Sequence, residues 1–265
     1  MIANVLTIAG SDPSGGAGIQ ADLKTFAARG TYGMAVLTAL TAQNTRGVTG
    51  VHLVPPSFVA EQINAVFADV RVDAVKIGMI ATAEIAEAVA DALAVHPEIP
   101  IVLDPVMIAK GGASLLAEDA VAALNHRLLP IATMITPNLP EAAALLGEAE
   151  AGNREQMETQ AKRLLSLGPR MVLVKGGHLP GLESPDVLAQ HGSLAWLEAS
   201  RRKTANTHGT GCSLSSAIAA ELAKGTETLT AVRLAKDYLL EAISRSNELS
   251  VGAGHGPVHH FHHWW

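Results

Sequence analysis

The residues best suited to chemistry form one short stretch, residues 206–213, which runs from a polar loop into an apolar helix. Gly209 and Gly211 let the backbone approach a ligand closely. The N–H groups of a first helical turn have no intrahelical partners and therefore bind negative charge. The stretch predicts an anion hole built from the backbone of Gly209, Thr210 and Gly211.

Cys212, the only cysteine in the chain, lies on this predicted anion hole. The partial positive charge of a helix N-terminus favours thiolate over thiol, so Cys212 is a candidate base or nucleophile. One alternative is a cysteine hydrolase or transferase that pairs Cys212 with His208. A glycine turn separates the two residues, so the imidazole ring need not face the sulfur. A tight turn with a small buried cysteine is the purely structural interpretation.

Polar side chains also follow three predicted strands. Asp104 follows one strand, Asn138 and Glu141 follow the next, and Lys175 ends a third. Carboxyl ends of parallel strands meet at one edge of a sheet, so these side chains should lie together. The oxygen atoms suit Mg²⁺, and the lysine suits nucleotide phosphates. Each residue alone has a structural explanation, but together with the anion hole they favour phosphoryl transfer from a nucleotide.

The first glycine-rich loop contains a variant of the dinucleotide fingerprint, Gly16-x-Gly18-x-x-Ala21. A nicotinamide or flavin enzyme is disfavoured, because the glycines come several residues after the strand and the second strand offers no acidic residue at the expected distance. The P-loop pattern is also absent from the sequence. The loop is either a flexible ligand loop or ordinary turn chemistry. A nucleotide-binding protein without enzymatic activity is a further alternative, disfavoured by the reactive residue on the anion hole.

Hydrophobic patterning predicts strands that alternate with helices along the chain. The predicted strands cover residues 5–9, 34–42, 74–77, 101–103, 134–135 and 171–174. The predicted helices cover residues 19–30, 58–67, 82–95, 118–128, 153–167, 214–224 and 229–243. A hairpin of strands 187–189 and 194–197 should add antiparallel strands at one edge. The pattern indicates an α/β fold with a mainly parallel sheet covered on both faces.

Three local features complete this interpretation. Asn153 and Gln156 have the spacing of a capping box. Residues 109–112 form a glycine-containing loop near the predicted site, and its motion cannot be read from sequence. The histidine-rich C-terminal tail should pack together with Trp264 and Trp265, since neighbouring histidines do not by themselves converge on a metal ion.

Composition limits the function classes. The chain has 265 residues, 48% of them hydrophobic, and we expect residues 1–265 to form one domain. The net charge of −6 and the aromatic content of 3% disfavour a nucleic-acid partner. One cysteine cannot form an internal disulfide, the apolar start is too short for a signal peptide, and no run has membrane-spanning length. We therefore expect a cytoplasmic protein that binds a metabolite and contacts no membrane.

Seven blocks carry a resemblance to a known family over nearly the whole chain. They are AGSDPSGGAGIQADLK (9–24), TALTAQNT (38–45), KIGM (76–79), DPVM (104–107), ITPNLPEA (135–142), VKGGH (174–178) and NTHGTGC (206–212). The chain resembles the ribokinase-like superfamily and, within it, the hydroxymethylpyrimidine/phosphomethylpyrimidine kinases of thiamine biosynthesis. The resemblance implies a three-layer α/β/α fold, ATP and Mg²⁺ as cofactors, and commonly a homodimer.

The implied reaction is phosphorylation of 4-amino-5-hydroxymethyl-2-methylpyrimidine and then of its monophosphate. The resemblance implies Cys212 as base, with Gly209, Thr210 and Gly211 as anion hole. It implies substrate-binding positions at Gln43, Asp22, Gly10, Ala17, Met79 and Val106. It implies ATP-binding positions at Lys175, Asn138 and Thr207, and metal ligands at Asp104 and Glu141.

Gln43 departs from the pattern, because some family members have Glu there. A carboxamide can still pair the amino group and ring nitrogen of a 4-aminopyrimidine, as it pairs adenine. Many ribokinase-like sugar kinases have Asp where this chain has Cys212, and a thiolate can replace that carboxylate as base. Pyridoxal kinases of the cysteine-containing branch are the second interpretation, either as the sole activity or as an additional one.

Overall fold

The computed structural model describes residues 1–107 and 118–265, so the predicted loop at 109–112 lies outside the described residues. The strands are β1 (Asn4–Ala9), β2 (Tyr32–Leu37), β3 (Ala39–Asn44), β4 (Gly47–Leu53), β5 (Ala74–Ile77), β6 (Ile101–Leu103), β7 (Met134–Ile135), β8 (Met171–Lys175), β9 (Asp186–Gln190) and β10 (Ser193–Leu197). The helices are α1 (Gly18–Ala28), α2 (Pro56–Asp69), α3 (Ala83–Leu93), α4 (Glu118–Ala123), α5 (Leu139–Leu146), α6 (Arg154–Leu165), α7 (Thr210–Ala223) and α8 (Thr228–Ser244).

The central sheet has the strand order β10-β9-β8-β7-β6-β5-β1-β2 within the described part of the chain. Neighbours from β8 to β2 are parallel, whereas β9 and β10 are antiparallel. One face packs on α2, α3, α5 and α6 through residues such as Ile63, Val89 and Leu164. The other face packs on α1, α7 and α8 through residues such as Phe26 and Ile218. The prediction of a three-layer α/β fold with an antiparallel edge is confirmed.

The predicted strand at 34–42 is wrong as one element, because the chain leaves the central sheet at Thr38. The Thr38 N–H donates to the carbonyl of Ala9, and its hydroxyl donates to the carbonyl of Met79 at 2.7 Å. The residues after Thr38 form β3, which pairs with β4 in a separate two-stranded sheet. Neither strand of this small sheet pairs with the central one. The hairpin projects beyond the carboxyl ends of β1 and β5.

The predicted capping box at Asn153 is half correct. The Asn153 side chain accepts from the N–H of Gln156, but the Gln156 side chain accepts from Gly152 rather than from Asn153. A complete capping box instead begins α5. There the Asn138 side chain accepts from the N–H of Glu141, and Glu141 Oε2 accepts from the N–H of Asn138 at 2.8 Å. Two residues predicted to bind ligand therefore also stabilise a helix N-terminus.

The predicted helix at 118–128 changes geometry partway along. It is α-helical to Ala123 and then forms one π-helical turn, Leu124–Leu128. A short 3₁₀ turn, Leu129–Ile131, completes the connection to β7. The hairpin of β9 and β10 and the helices α7 and α8 agree with the predicted positions within a few residues.

The C-terminal tail is buried mainly through its histidines, and its two tryptophans stay largely exposed. His259 and His260 are buried, and the Nδ1 atom of His260 lies 3.2 Å from the hydroxyl of Thr25. Trp264 and Trp265 are 75% and 71% exposed, but the ring centroid of Trp265 lies 4.8 Å from that of His259 and 5.8 Å from that of Phe261, so the expected packing is found at the edge of the tail for Trp265. Residues 1–107 and 118–265 contain no group of three or more His, Cys, Asp or Glu side chains arranged to hold a metal ion. The same residues contain no helix that could cross a membrane.

Candidate active site

A cavity of about 800 Å³ lies at the carboxyl ends of the parallel strands. Its walls come from the loop after β1, the β3–β4 hairpin, the ends of β5 to β8, and the start of α7. Fourteen of the predicted site residues line it: Gly10, Ala17, Gln43, Met79, Asp104, Val106, Asn138, Glu141, Lys175, Thr207, Gly209, Thr210, Gly211 and Cys212. Parallel strands therefore bring together residues that lie far apart in sequence.

Asp22 is the predicted site residue that the structure does not bring to the cavity. Its carboxylate is fully buried and accepts from three side chains. The Thr7 hydroxyl lies at 2.6 Å, the Lys76 ammonium at 2.9 Å from both oxygens, and the Ser216 hydroxyl at 2.7 Å. The structure gives no support to the expected contact between Asp22 and the substrate, because protein donors occupy the carboxylate. Asp22 instead ties β1, β5 and α7 together below the cavity.

Lys76 is a cavity residue that reasoning from residue types overlooked. Its ammonium lies within the cavity wall with no exposed surface, and its pKa is raised. Burial alone would lower the pKa of a lysine, but Asp22 first and then Cys212 and Asp104 outweigh that effect. The sequence did contain a signal for this role, because Lys76 stands inside a run of apolar strand residues. A lysine in such a run needs a buried partner of opposite charge.

The backbone at the start of α7 has no room for side chains at its glycines. Gly209 adopts φ +76°, and a Cβ there would lie 1.8 Å from the carbonyl oxygen of Gly16. A Cβ on Gly211 would lie 3.3 Å from both Asp104 Oδ2 and Lys175 Nζ. The Thr210 hydroxyl donates to the carbonyl of Thr207 at 3.2 Å. The first turn of α7 is therefore held against the first glycine loop on one side and against the charged strand ends on the other.

Cys212 lies half-buried where the N-termini of α7 and α1 meet, since the N–H of Gly18 donates to its sulfur. The helix N-terminus does not by itself make Cys212 a thiolate in the free protein. Burial raises the pKa of the Cys212 thiol to about 11, and Asp22 and Asp104 act in the same direction. Lys76 and the Gly18 N–H lower it by less. The cost of burying an anion therefore outweighs the favourable helix charge.

His208 does not face Cys212, so the alternative Cys-His pairing receives no support from the geometry. Its Nε2 lies 2.7 Å from Asp12 Oδ2, and both side chains are buried. Asp12 also accepts from the N–H groups of Ser14, Gly16 and Ala17. Bonds from His208 and Ser14 hold the pKa of Asp12 at about 2, although burial opposes them. This carboxylate organises the first glycine loop and joins it to the residue before Gly209.

The charged strand ends form a second cluster. Lys175 Nζ lies 3.0 Å from Asp104 Oδ1 and 3.9 Å from Glu141 Oε2. The hydroxyl of Thr136 donates to the same Asp104 oxygen at 3.0 Å. Burial raises the pKa of Glu141 to about 7, with Lys175 opposing and Asp104 reinforcing the shift. The cluster combines one cation with two carboxylates beside the start of α7.

The cavity extends from the β3–β4 hairpin to α8 and therefore has two ends. Gln43, Val48, Met79 and Val106 line the end near the hairpin. Side chains that belong to α5 and α8 line the other end, and among them are Pro140, Ala144, Leu240 and Ile243. The first turn of α7 lies between them. This arrangement can hold two ligands with their reacting groups at the anion hole.

Arg201 is a further residue that sequence reasoning did not identify. It lines the cavity near the end formed by α5 and α8. Its guanidinium donates to the carbonyls of Gly177, Leu179, Gly181 and Glu183, at distances from 2.6 to 3.1 Å. One side chain thus folds the loop after β8 into a wall of the cavity. All four bonds go to backbone carbonyls, which every residue has. The sequence of that loop therefore contains no side chain that would indicate a partner for Arg201.

Comparisons with known proteins agree with this geometry. The family model described as phosphomethylpyrimidine kinase matches residues 12–259. A hydroxymethylpyrimidine/phosphomethylpyrimidine kinase of Rhizobium meliloti is 54% identical over 265 residues, which cover 100% of this chain and 99% of the relative. The protein of the same description in Escherichia coli is 53% identical and covers 99% of this chain and 98% of its own length.

Solved structures give the same result. A phosphomethylpyrimidine kinase of Clostridium difficile has a TM-score of 0.81 at 46% identity and covers 91% of this chain and 99% of its own. A pyridoxal kinase of Bacillus subtilis in complex with ADP has a TM-score of 0.90 at 38% identity and covers 98% of both chains. The family match and the full-length relatives together show that this chain belongs to the phosphomethylpyrimidine kinase family.

Proposed function

We propose that the chain is an ATP-dependent kinase that phosphorylates 4-amino-5-hydroxymethyl-2-methylpyrimidine and then its monophosphate, in thiamine biosynthesis. One observation carries this proposal: the first turn of α7 lies between a cavity end suited to a small ring and an end suited to a nucleotide. Relatives that match the full length of the chain are named for both phosphorylations. The first step transfers a phosphoryl group to an alcohol, and the second transfers one to a phosphate.

The end near the hairpin fits the pyrimidine. Met79 and Val106 offer apolar contact to a flat ring, and Gln43 offers a donor and an acceptor to its polar edge. A Cβ on Gly10 would lie 2.4 Å from the Met79 methyl group, so the glycine leaves room for that side chain. Ala17 completes this end of the cavity. These residues orient the substrate's hydroxymethyl group toward the anion hole.

The other end fits the nucleotide. Pro140, Ala144, Leu240 and Ile243 supply apolar surface for a purine base. We assign Lys175, Asn138 and Thr207 to the phosphate chain, because they line the path from that end to α7. The backbone N–H groups of Gly209 to Cys212 then face the transferred phosphoryl group. Donors placed where charge develops stabilise a transition state more than a ground state.

The cluster of Asp104 and Glu141 fits Mg²⁺. Two carboxylates with room for waters and phosphate oxygens match the preference of this ion. The two side-chain hydrogen bonds that Asp104 accepts from residues 1–107 and 118–265 both use Oδ1, and Oδ2 faces Gly211. When bound, Mg²⁺ would neutralise charge on the phosphates during transfer. The ammonium of Lys175 holds Asp104 in place and adds a second positive charge.

Cys212 is proposed as the group that accepts the proton of the substrate alcohol. The sulfur must ionise for this role, and the free protein holds its pKa at about 11. Lys76 and the N–H of Gly18 stabilise the thiolate form. The second phosphorylation has a different requirement, because a phosphate monoester with a second pKa near 6 is largely ionised at neutral pH. Only the first step needs a base.

A pyridoxal kinase is the second candidate, because the Bacillus subtilis pyridoxal kinase has so similar a structure. The decisive experiment is a substrate panel. ATP consumption is measured separately with the hydroxymethylpyrimidine, with its monophosphate and with pyridoxal. We expect turnover of the first two. Turnover of pyridoxal alone would overturn the proposal, and turnover of all three would add a second activity to it.

The assembly proposed for the active protein is a homodimer of a single-domain chain that acts in the cytoplasm. The β3–β4 hairpin supports dimerisation, because Leu40, Val51 and Leu53 are between 44% and 49% exposed on it. Leu40 lies on one face of the hairpin, whereas Val51 and Leu53 lie on the other, and apolar side chains exposed on both faces favour burial against another protein surface. Light scattering of the wild type and of a Leu40→Asp variant tests this. We expect a dimer that the charge weakens, and a monomeric wild type would contradict the proposal.

A further inference from the structure

The side-chain amide of Gln43 lines the cavity and also lies beside two polar side chains, those of Thr41 and His208. Its Oε1 position lies 3.2 Å from the hydroxyl oxygen of Thr41, and its Nε2 position lies 3.4 Å from His208 Nε2. The two ends of an amide differ only in hydrogen-bonding character, so the neighbours decide which end is oxygen. Both neighbours can be assigned from their other bonds.

The Thr41 hydroxyl has a single hydrogen, which it donates to the carbonyl of Ser11 at 2.9 Å. A carbonyl oxygen only accepts, so this assignment is unambiguous. Toward Gln43 the Thr41 oxygen can then only accept. The amide end beside Thr41 must therefore be the donor, NH₂.

His208 gives the same result independently. Its Nε2 lies 2.7 Å from Asp12 Oδ2, and an ionised carboxylate only accepts, so Nε2 carries a hydrogen. With that hydrogen, Nε2 has no lone pair left to accept from Gln43, so an NH₂ group beside it would have no acceptor. The amide end beside His208 must be the acceptor oxygen. Thr41 and His208 thus require the same orientation of the Gln43 amide. In that orientation the oxygen and nitrogen exchange the two positions described above, so that NH₂ lies beside Thr41 and the oxygen beside His208.

We infer that Asp12 and His208 are specificity-determining positioning residues, which hold the Gln43 amide with its oxygen toward His208 and its nitrogen toward Thr41. Each amide end then keeps one free site, an oxygen lone pair on the His208 side and an N–H on the Thr41 side. This inference rests on the proposed pyrimidine substrate. It explains why the pyrimidine ring pairs with the Gln43 amide in one of its two possible orientations and not in the other.

The order of these free sites determines the pose of the ring. In the substrate the 4-amino group lies between the ring nitrogen N3 and the carbon that bears the hydroxymethyl group. Pairing the amino group with the amide oxygen and N3 with the amide N–H places the hydroxymethyl group on the His208 side. Gly209 follows His208 directly in the chain, Cys212 lies four residues after it, and all three line the same cavity. The opposite amide orientation would direct the hydroxymethyl group toward Thr41, away from the proposed base.

The first test uses NMR and does not depend on activity. In protein labelled at glutamine side chains with ¹⁵N, we expect the NH₂ protons of Gln43 to show nuclear Overhauser contacts to the Thr41 methyl group. Assignment is made with a Gln43→Ala variant, in which those signals disappear. Contacts to the ring protons of His208, with none to Thr41, would overturn the inference.

The second test uses two variants of His208 and a substrate analogue with a 4-oxo group, whose donor and acceptor are reversed. His208→Phe keeps a ring against Gly16 but has no N–H, whereas His208→Gln keeps an N–H for Asp12 and Gln43. We expect His208→Phe to reduce the preference for the 4-amino substrate by about 10-fold and to raise its KM, with the KM for ATP unchanged. His208→Gln should restore most of the preference.

The outcomes separate this inference from the proposed function. An unchanged preference in His208→Phe, together with a lost preference in Gln43→Ala, would show that Gln43 reads the ring without help from His208. Equal loss for the pyrimidine and ATP in both His208 variants would indicate a merely structural role. Failure of the wild type to phosphorylate the 4-amino substrate would refute the proposed function, and the NMR result would still decide the amide orientation. Thermal unfolding shows whether each variant is folded.

Discussion

Raising the pH should increase the reactivity of Cys212 toward iodoacetamide over an unusually wide range. The thiolate is the reacting form, and burial raises the pKa of this thiol from 9.0 to about 11. At pH 8 a thiol with the ordinary value is about one-tenth ionised, whereas one with a pKa of about 11 is about one-thousandth ionised. The folded protein should therefore react roughly 100-fold more slowly than its unfolded chain at that pH.

The assay follows alkylation by mass spectrometry between pH 7 and about 10.5, with initial rates taken before any unfolding. Cys212 is the only cysteine, so the modified mass reports this residue alone, and Cys212→Ala supplies the blank. The matched control is the same chain in concentrated urea. The rate in the folded protein should rise about tenfold per pH unit through the range, whereas the control should level off above about pH 9.

A plateau below pH 9 in the folded protein would refute this reasoning, because it would mean that the helix N-terminus and Lys76 outweigh burial. The raised pKa of Cys212 also makes the free energy of unfolding depend on pH. The folded-state pKa lies above the unfolded one, so the contribution of Cys212 is present below pH 9.0 and is lost as the pH rises through about 11. The free energy of unfolding should fall over that interval in the wild type but not in Cys212→Ala.

Three further variants test the proposed division of roles. Cys212→Ala should lower kcat of the first phosphorylation by about 10²–10⁴-fold and spare the second, since only an alcohol must lose a proton; equal loss in both steps would reassign the residue to the geometry of the anion hole. Lys175→Ala should impair both steps, the second at least as much, and an unaffected second step in single-turnover assays would contradict its phosphate role. Gln43→Ala should raise the KM for the pyrimidine by about 5- to 150-fold with the KM for ATP unchanged, and equal weakening of both would indicate a structural role for the hairpin.

Much of the fold was predictable because its elements depend on local patterns. The buried strands are short apolar runs, and 74–77 and 101–103 were predicted with the bounds that β5 and β6 have. The division at Thr38 could not be predicted, because a polar hydroxyl inside an apolar run fits a continuous strand equally well. Its cause is a bond to Met79, which lies 41 residues away.

The candidate site was predictable where strand ends carry chemically distinctive residues, such as Asp104 and Lys175. It was not predictable where a residue acts through a distant partner. Asp22 stands in a motif near the site, yet its carboxylate serves Lys76 and Ser216, which lie 54 and 194 residues away. The pKa of Cys212 depends on burial as well as on the helix, and sequence spacing reveals only the helix.

The close contact of Gly209 with Gly16 has a consequence for evolution and engineering. The two glycine loops touch at a point where a Cβ would overlap a carbonyl oxygen, and the bond between Asp12 and His208 ties them together, so a shift of either loop disturbs the other. In the proposed reaction, one loop supports the acceptor molecule and the other surrounds the group being transferred. A larger acceptor that displaced the first loop would also displace the second. Broadening the choice of substrate in laboratory selection should therefore require compensating changes in both loops at once, and single substitutions that enlarge one loop should lose turnover before they gain a new substrate.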